Sequence, residues 1–117
     1  MKITVSMKEN HLFRRLYNKG KTAADGRLVL YVRRNGGNTN RLGFTVSTKL
    51  GHAVVRNRTR RRLREIYRLH EEQIRPGMDI VVVTRVRAAS STYWQLERSF
   101  LRLADKLELL RKEEIAP

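Results

Sequence analysis

Apolar residues along the chain recur at helical spacing in three places, which predicts three helices. The first covers 8–19 and is closed by Gly20. The second lies within 51–75, where Arg75-Pro76-Gly77 ends it. The third follows a capping box that begins at Thr92, and its core face steps three and four residues apart through Tyr93, Leu96, Phe100, Leu103, Leu107 and Leu110.

The segments between the predicted helices have the spacing of apolar residues that is typical of strands. Residues 21–25 predict a short edge strand, and 27–34 alternate between apolar and polar positions. A turn rich in glycine and asparagine at 35–38 leads into a second alternating strand at 41–47. The continuous apolar run at 78–86 predicts a central strand, and its place after a strand and a helix favours parallel pairing with an earlier strand.

The resulting order is helix, three strands, helix, strand, helix, which predicts a single α+β domain over 1–117 with an ordered core at about 8–110. We expect 1–7 to be an extended, weakly ordered lead-in and 111–117 to fray.

Composition narrows the function to the binding of a polyanion. The formal net charge is +15, from 26 Lys and Arg against 11 Asp and Glu. This balance is typical of proteins that bind nucleic acid or anionic membrane. Membrane is the weaker interpretation, because no apolar run approaches the roughly 20 residues of a spanning helix. The absence of cysteine excludes disulfides and thiolate metal sites, and no apolar segment of signal-peptide length is present at the start, so we expect a cytoplasmic protein.

The arginines of the second helix carry the clearest signal. On a helical wheel an apolar stripe gathers Val55, Thr59, Leu63, Ile66, Tyr67, His70 and Ile74. The arginines fan around the remaining arc, and Glu65 is the single acid among them. A solvated helix would pair such charges at four-residue spacing, so the unpaired arginines indicate a polyanionic partner, and a merely solvated basic face is the weaker interpretation. The arginines of this helix are Arg56, Arg58, Arg60, Arg61, Arg62, Arg64 and Arg68.

Aromatic residues outside this helix have two interpretations that the pattern leaves open. Phe13 and Tyr17 lie at the edge of the first helix's apolar stripe, either as core aromatics or as a stacking platform for unpaired bases. Tyr31, with Thr45 and Ser47 on the polar face of the following strand, would border a shallow surface. That surface is either merely solvated or able to hold a ligand strand.

The chain contains no arrangement of residues that predicts catalysis of its own. His11, His52 and His70 lie in different elements without ligand spacing, and no carboxylate pair could hold catalytic magnesium. Any catalysis is therefore expected from a partner. Trp94 lies off the core stripe of the third helix, and we interpret it as partly buried packing.

The arginine helix and its lead-in resemble the protein subunit of bacterial ribonuclease P, and the resemblance covers about 8–110. It rests on Arg56-Asn57-Arg58 followed by further arginines and Arg64-Glu65, in an order of elements that makes a short motif specific. The other matching residues are Phe13, Tyr17, Gly20, Tyr31, Gly43, Val46, Ser47, Gly51, Ala53 and Val54.

The resemblance implies an α+β domain of the ribosomal protein S5 domain 2-like type, with helices on a four-stranded sheet and a left-handed crossover through the arginine helix. It also implies two RNA surfaces. One contacts the catalytic RNA through Lys49, Arg56, Asn57, Arg58, Arg60, Arg61, Arg64 and Arg68. The other is a cleft that holds the 5′ leader of precursor tRNA and is lined by Phe13, Tyr17, Tyr31, Thr45 and Ser47.

In such a particle the RNA carries out magnesium-dependent hydrolysis, so the resemblance implies no catalytic residue, metal ligand or cofactor in the protein and no required protein partner. Two positions depart from the family pattern. Thr48 replaces a common lysine, and Arg62 replaces an aliphatic residue, so that either its side chain reaches to the surface or the helix is slightly rotated.

Two other functions are consistent with the basic charge and with the arginine helix. A small ribosomal-type structural RNA-binding protein without a catalytic partner would have the same charge and fold class. A DNA-binding regulator would need a second helix to form a helix-turn-helix, and the arginine run is better suited to phosphates than to base edges.

Overall fold

The computed structural model describes residues 4–111 and shows an α+β fold built on one five-stranded sheet. The strands are β1 (Thr4–Ser6), β2 (Lys21–Ala24), β3 (Leu28–Arg34), β4 (Asn40–Thr45) and β5 (Met78–Thr84). The helices are α1 (Asn10–Lys19), α2 (Ala53–His70) and α3 (Tyr93–Lys106). Short 3-10 turns occupy Thr48–Leu50, Glu71–Gln73 and Val86–Ser90.

The strands lie in the order β1-β4-β5-β3-β2. The apolar run of β5 is central, as its sequence predicts, and it pairs parallel to β4 and antiparallel to β3. The predicted strand–helix–strand unit is therefore β4-α2-β5, with Leu42 opposite Ile80 in the parallel register.

Alternation along the strands gives the sheet two different faces. One face carries Leu30, Leu42 and Ile80, which are buried beneath α2 and α3 in the main core. Ile66 and Tyr67 of α2 complete this core, together with Leu96, Phe100 and Leu103 of α3. The thicker cover on this face explains why apolar residues dominate its strand positions.

The opposite face is covered by α1 over only part of its area. Leu12 and Leu16, the predicted stripe of this helix, pack with Met7 on Val81 of β5. The helix ends at Gly20, whose N–H donates to the Leu16 carbonyl oxygen at 2.9 Å. A Cβ at Gly20 would lie 2.6 Å from that oxygen, so the close approach requires glycine here.

The prediction of four strands was wrong by one, because part of the expected lead-in forms β1. This strand pairs parallel to β4, with Thr4 opposite Asn40 and Ser6 opposite Leu42. The Thr4 hydroxyl lies 2.8 Å from the Tyr67 hydroxyl of α2, and the following Met7 is buried. Tertiary contacts order a segment too short for alternation to be recognised.

Two helix ends also differ from the predictions. α2 stops at His70, and a 3-10 turn replaces the predicted continuation toward Arg75. α3 stops at Lys106, short of the apolar stripe's last member Leu110. Leu110 instead forms a bridge with Ile74, after the chain reverses at Glu108 in a left-handed conformation (φ 55°). The predicted fraying at the terminus concerns mainly 112–117, which lie outside the described residues.

Candidate RNA interface

The first candidate surface is the side of α2 that faces away from the core. Thr59, Leu63, Ile66 and Tyr67 are buried, as the predicted stripe requires, and Val55 and His70 are partly buried at its edges. Because these residues fix the rotation of the helix, the arginines are turned outward. Arg58, Arg61, Arg64 and Arg68 are exposed, while Arg56, Arg60 and Arg62 are partly buried.

Three of the exposed arginines have no internal counter-charge. Within residues 4–111, Arg58, Arg61 and Arg64 have neither a carboxylate within salt-bridge distance nor a hydrogen bond to protein. A guanidinium in this state presents up to five N–H donors in a planar fork that matches a phosphate group. These guanidinium groups are therefore the ones on the helix that are most available to a phosphate.

Other arginines are held by local hydrogen bonds. Arg56 donates to the Gly51 carbonyl oxygen at 3.4 Å, and Arg60 donates to Asn57 Oδ1 at 3.3 Å. Each bond uses one nitrogen and leaves the rest of the guanidinium group available. The Asn57 carboxamide is exposed at the centre of this surface.

Arg68 is not unpaired, which corrects the expectation that every arginine of this helix lacks a partner. Its guanidinium donates two hydrogen bonds to the Glu65 carboxylate, one turn earlier. The hydrogen bond from Arg68 lowers the pKa of Glu65 and raises that of Arg68. Binding of RNA to Arg68 would compete with this exposed pair, so we rank it below Arg64 as a phosphate ligand.

The position of Arg62 distinguishes between the two explanations given for it, a side chain that reaches the surface and a rotated helix. Its guanidinium reaches the Ser91 carbonyl oxygen at 3.3 Å, just before α3. The side chain therefore extends along the α2–α3 boundary with its charge at the surface, while the core stripe keeps the predicted rotation.

The predicted residues just before α2 lie in a tight turn. Ser47 Oγ accepts a hydrogen bond from the Lys49 backbone N–H at 3.1 Å, which caps the 3-10 turn Thr48–Leu50. Lys49 itself is exposed, as is His52 at the N-cap of α2. Ser47 thus has a structural role in shaping the entry to the arginine helix.

The second candidate surface, which we call the cleft because it is the predicted leader cleft, lies where α1 borders the partly covered face of the sheet. The Tyr17 and Tyr31 rings meet edge to face with centroids 4.9 Å apart. The Tyr17 hydroxyl lies 2.9 Å from Thr45 Oγ1, so the helix and two strands are joined at one point. Tyr17 is 40% exposed, and Phe13 is partly buried beside it. The structure therefore brings together four of the five residues predicted for the leader cleft.

Gly43 is a part of this cleft whose spatial role the sequence does not reveal. A Cβ at this position would lie 2.6 Å from Phe13 Cζ, so the ring of Phe13 lies directly against the glycine backbone. A glycine inside a strand is a general signal for close approach of another group, but it does not say which group approaches. Val83 and Val81 complete the apolar floor.

A partly buried ion pair holds the β4–β5 register at the end of this face. The Arg41 guanidinium donates to both carboxylate oxygens of Asp79, at 2.6 and 2.8 Å, and the Asn35 side-chain amide donates to the same carboxylate at 3.1 Å. The hydrogen bonds from Arg41 to Asp79 raise the pKa of Arg41. Sequence reasoning did not identify this pair, because its members are far apart in the chain.

Neither surface contains groups arranged for metal binding. Within residues 4–111, no three His, Cys, Asp or Glu side chains lie close enough together to hold a metal ion. His11 contacts Glu9 at 3.2 Å and His70 contacts Glu97 at 3.1 Å, so two of the three histidines have local acidic partners. No helix in the described part of the chain has the length and apolar character needed to cross a membrane.

Comparison with known proteins gives one consistent result. The family model for ribonuclease P matches residues 1–108. The ribonuclease P protein component of Natranaerobius thermophilus is 41% identical over 111 residues, which cover 95% of this chain and 96% of that protein. That of Caldanaerobacter subterraneus is 39% identical over 108 residues, covering 92% and 93%.

Two solved structures are similar in fold. The Staphylococcus aureus RNase P protein superposes with a TM-score of 0.84 at 34% identity, covering 91% of this chain and 97% of that one. The Thermotoga maritima RNase P protein superposes with a TM-score of 0.73 at 30% identity, covering 86% and 92%.

Proposed function

The chain belongs to the ribonuclease P protein family, and we propose that it is the RNA-binding subunit of a ribonucleoprotein that removes 5′ leaders from precursor tRNA. The observation that carries this proposal is the placement of two different RNA-compatible surfaces on opposite faces of one sheet. An arginine helix lies on one face and an open aromatic cleft on the other. A protein that only binds structured RNA would need the first surface alone.

In this proposal α2 docks on the catalytic RNA. Arg58, Arg61 and Arg64 supply unpaired guanidinium groups, and Arg56 and Arg60 add groups whose stems are already oriented by hydrogen bonds. Asn57, Lys49 and, more weakly, Arg68 complete the contact. Because the helix is fixed by its buried stripe, RNA binding requires little reordering of the backbone.

The cleft holds the single-stranded leader. Bases of a single strand stack on aromatic rings without sequence preference, and Phe13, Tyr17 and Tyr31 offer such rings beside an apolar floor. The Thr45 hydroxyl positions Tyr17 and is available to a sugar or phosphate at the cleft edge. Ser47 lies where β4 leaves the cleft and contributes mainly through the turn that it caps.

The chemistry belongs to the RNA and its magnesium ions in the cytoplasm. In this proposal the protein binds no cofactor and needs no protein partner, and within residues 4–111 no three His, Cys, Asp or Glu side chains are arranged to hold a catalytic metal ion. Its contribution is to neutralise phosphate repulsion between two RNAs and to increase the affinity for substrates that carry a leader.

The decisive experiment is cleavage of a precursor tRNA by a bacterial ribonuclease P RNA at low magnesium, with and without the protein. We expect the protein to rescue cleavage and the triple variant Arg56→Ala/Asn57→Ala/Arg58→Ala to lose the rescue. The matched control is Lys21→Ala/Arg34→Ala, which also removes two positive charges, from exposed positions on β2 and β3. No rescue by the unmodified protein, together with tight binding to unrelated structured RNA, would favour a ribosomal-type scaffold.

The cleft assignment has its own test. Phe13→Ala and Tyr17→Ala should weaken binding of precursor tRNA to the assembled particle and leave binding of mature tRNA unchanged. Equal losses for both RNAs would show that the aromatic residues do not contact the leader.

A further inference from the structure

Trp94 is the one tryptophan of the chain, and it is 69% exposed. The sequence-based interpretation of this residue as partly buried packing was therefore wrong. It lies in the first turn of α3, where its ring meets that of Tyr93 edge to face with centroids 5.2 Å apart. An exposed indole gains nothing from the core, so its apolar surface is available to a partner.

Two arginines extend this exposed position along the helix. Arg98 and Arg102 follow Trp94 at four-residue intervals, so the three side chains share one face of α3, and both arginines are exposed. Glu97, the nearest acid in the sequence, is already in contact with His70, whereas Arg102 lies close enough to Asp25 to help lower the pKa of that carboxyl. We refer to Trp94, Arg98 and Arg102 as the α3 surface.

The α3 surface adjoins the arginine helix. Arg62 of α2 reaches the Ser91 carbonyl oxygen at the entry to α3, and His70 of α2 contacts Glu97 one turn further on. The two helices therefore run side by side over this length. A single RNA partner that contacts the outward side of α2 would meet Trp94 next.

We propose that Trp94 stacks on an unpaired base of the catalytic RNA while Arg98 binds a neighbouring phosphate. The proposal rests on the proposed function and adds a contact on α3 to the α2 docking surface. An aromatic ring flanked by guanidinium groups has the chemistry that recognises single-stranded RNA, since a base can stack on the ring and the arginines donate hydrogen bonds to the phosphates. A second copy of the chain is disfavoured as the occupant because each copy carries a net charge of +15.

The single tryptophan makes the test direct. The unmodified protein is titrated with a bacterial ribonuclease P RNA, and its tryptophan emission is recorded alongside an independent filter-binding measurement. We expect the emission to be quenched in parallel with binding. A single-stranded leader oligonucleotide, which occupies the cleft on the other face of the sheet, should leave the emission unchanged.

Variants then measure the contribution to affinity. Trp94→Ala should weaken binding to the catalytic RNA roughly 5- to 150-fold, the range found for base–aromatic stacking, whereas Trp94→Phe should retain most of the affinity. The control is the Lys21→Ala/Arg34→Ala variant, which changes exposed side chains on β2 and β3, away from α2 and from Trp94. It should bind as the unmodified protein does.

Each failure has a distinct meaning. If the protein does not bind the catalytic RNA by filter binding, the proposed function fails and this contact fails with it. If binding is tight but the emission and the Trp94→Ala affinity are unchanged, only the α3 contact is overturned. Emission that changes with protein concentration in the absence of RNA would assign the surface to self-association and would also overturn the proposal.

Discussion

Replacement of Gly43 by alanine should disturb the leader cleft through one short contact. The new Cβ would lie 2.6 and 2.7 Å from Phe13 Cζ and Cε1. Carbon atoms in contact are ordinarily about 3.5–4.0 Å apart, so the Phe13 ring would have to retreat by about 1 Å. The backbone offers little alternative movement because β4 pairs on both sides, with β1 and β5.

The expected magnitude follows from two opposing effects. Overpacking of this kind costs about 1–3 kcal/mol, and the partly exposed Phe13 ring can yield toward solvent, which favours the lower half of that range. Alanine also reduces the conformational entropy of the unfolded chain, which stabilises by about 0.4–1 kcal/mol. We therefore expect Gly43→Ala to lower the free energy of unfolding by about 1 kcal/mol.

A double-mutant cycle separates the clash from other effects of alanine. In a Phe13→Ala background the clashing atoms are absent, so Gly43→Ala should be neutral or stabilising, with a coupling energy of about 1–2 kcal/mol. The free energies are measured by urea unfolding of the four proteins, followed by circular dichroism. Gly37→Ala is the matched control, since its Cβ would meet only Asn35 Oδ1 at 3.4 Å.

The same variant should affect substrate selection. A displaced Phe13 ring no longer lines the cleft as before, so Gly43→Ala should reduce the preference of the assembled particle for precursor over mature tRNA. Additive free energies in the cycle, or an unchanged preference for precursor tRNA, would refute the assignment of Gly43 as the residue against which the Phe13 ring packs.

Further predictions concern charge. Arg64→Ala should flatten the log–log salt dependence of catalytic-RNA affinity by about 0.7–0.9, and an unchanged slope would mean that Arg64 contacts no phosphate. Arg41→Met should lower the free energy of unfolding in urea more than Asp79→Asn does. The Asp79 side chain is 6% exposed and the Arg41 side chain 34%, so a carboxylate left without its partner is less well solvated than a guanidinium left without its partner. Equal losses of stability in the two variants would contradict this prediction. Desolvation opposes ionisation of Asp25, but the neighbouring Ser99 side chain and hydrogen bonds from two backbone N–H groups lower its pKa overall. The stability that Asp25 contributes is thus present above its unfolded-state pKa and lost as the pH falls through the folded-state pKa. Asp25→Asn should therefore weaken the dependence of the free energy of unfolding in urea on pH in the acid range. An unaltered pH dependence would argue against this role of Asp25.

Local patterns were sufficient for the features that depend on neighbours in the sequence. The stripe that orients α2 and the capping box of α3 are both confirmed, because helical spacing and the reciprocal Thr92–Gln95 hydrogen bonds are short-range properties. The alternation of β4 likewise predicted which residues face the cleft. Pairing of Phe13 with Tyr17 indicated an aromatic platform but left its partner surface open.

Features that depend on distant residues were not predictable in this way. β1 is only three residues long, and it is ordered by its pairing with β4 and by contact of Thr4 with Tyr67. The Arg41–Asp79 pair joins positions 38 residues apart, and the sequence around either residue does not indicate that the other is its partner.

The register of β4 connects the two proposed RNA surfaces. Leu42 lies in the core beneath α2, whereas Gly43 and Thr45 face the cleft. Because side chains alternate along a strand, a slip of one residue would exchange the two faces. Gly43 would then no longer pack against Phe13, and Thr45 would no longer contact Tyr17.

Several polar contacts oppose such a slip. The Arg41–Asp79 pair fixes β4 against β5, and the buried Asn40 accepts a hydrogen bond from the Met78 N–H at 2.9 Å and donates to the Tyr67 hydroxyl of α2 at 3.3 Å. Tyr67 also contacts Thr4, so α2 is linked to both β1 and β4. These polar groups thus hold the arginine helix and the aromatic cleft in one fixed relation, which the proposed binding of two RNAs at once requires.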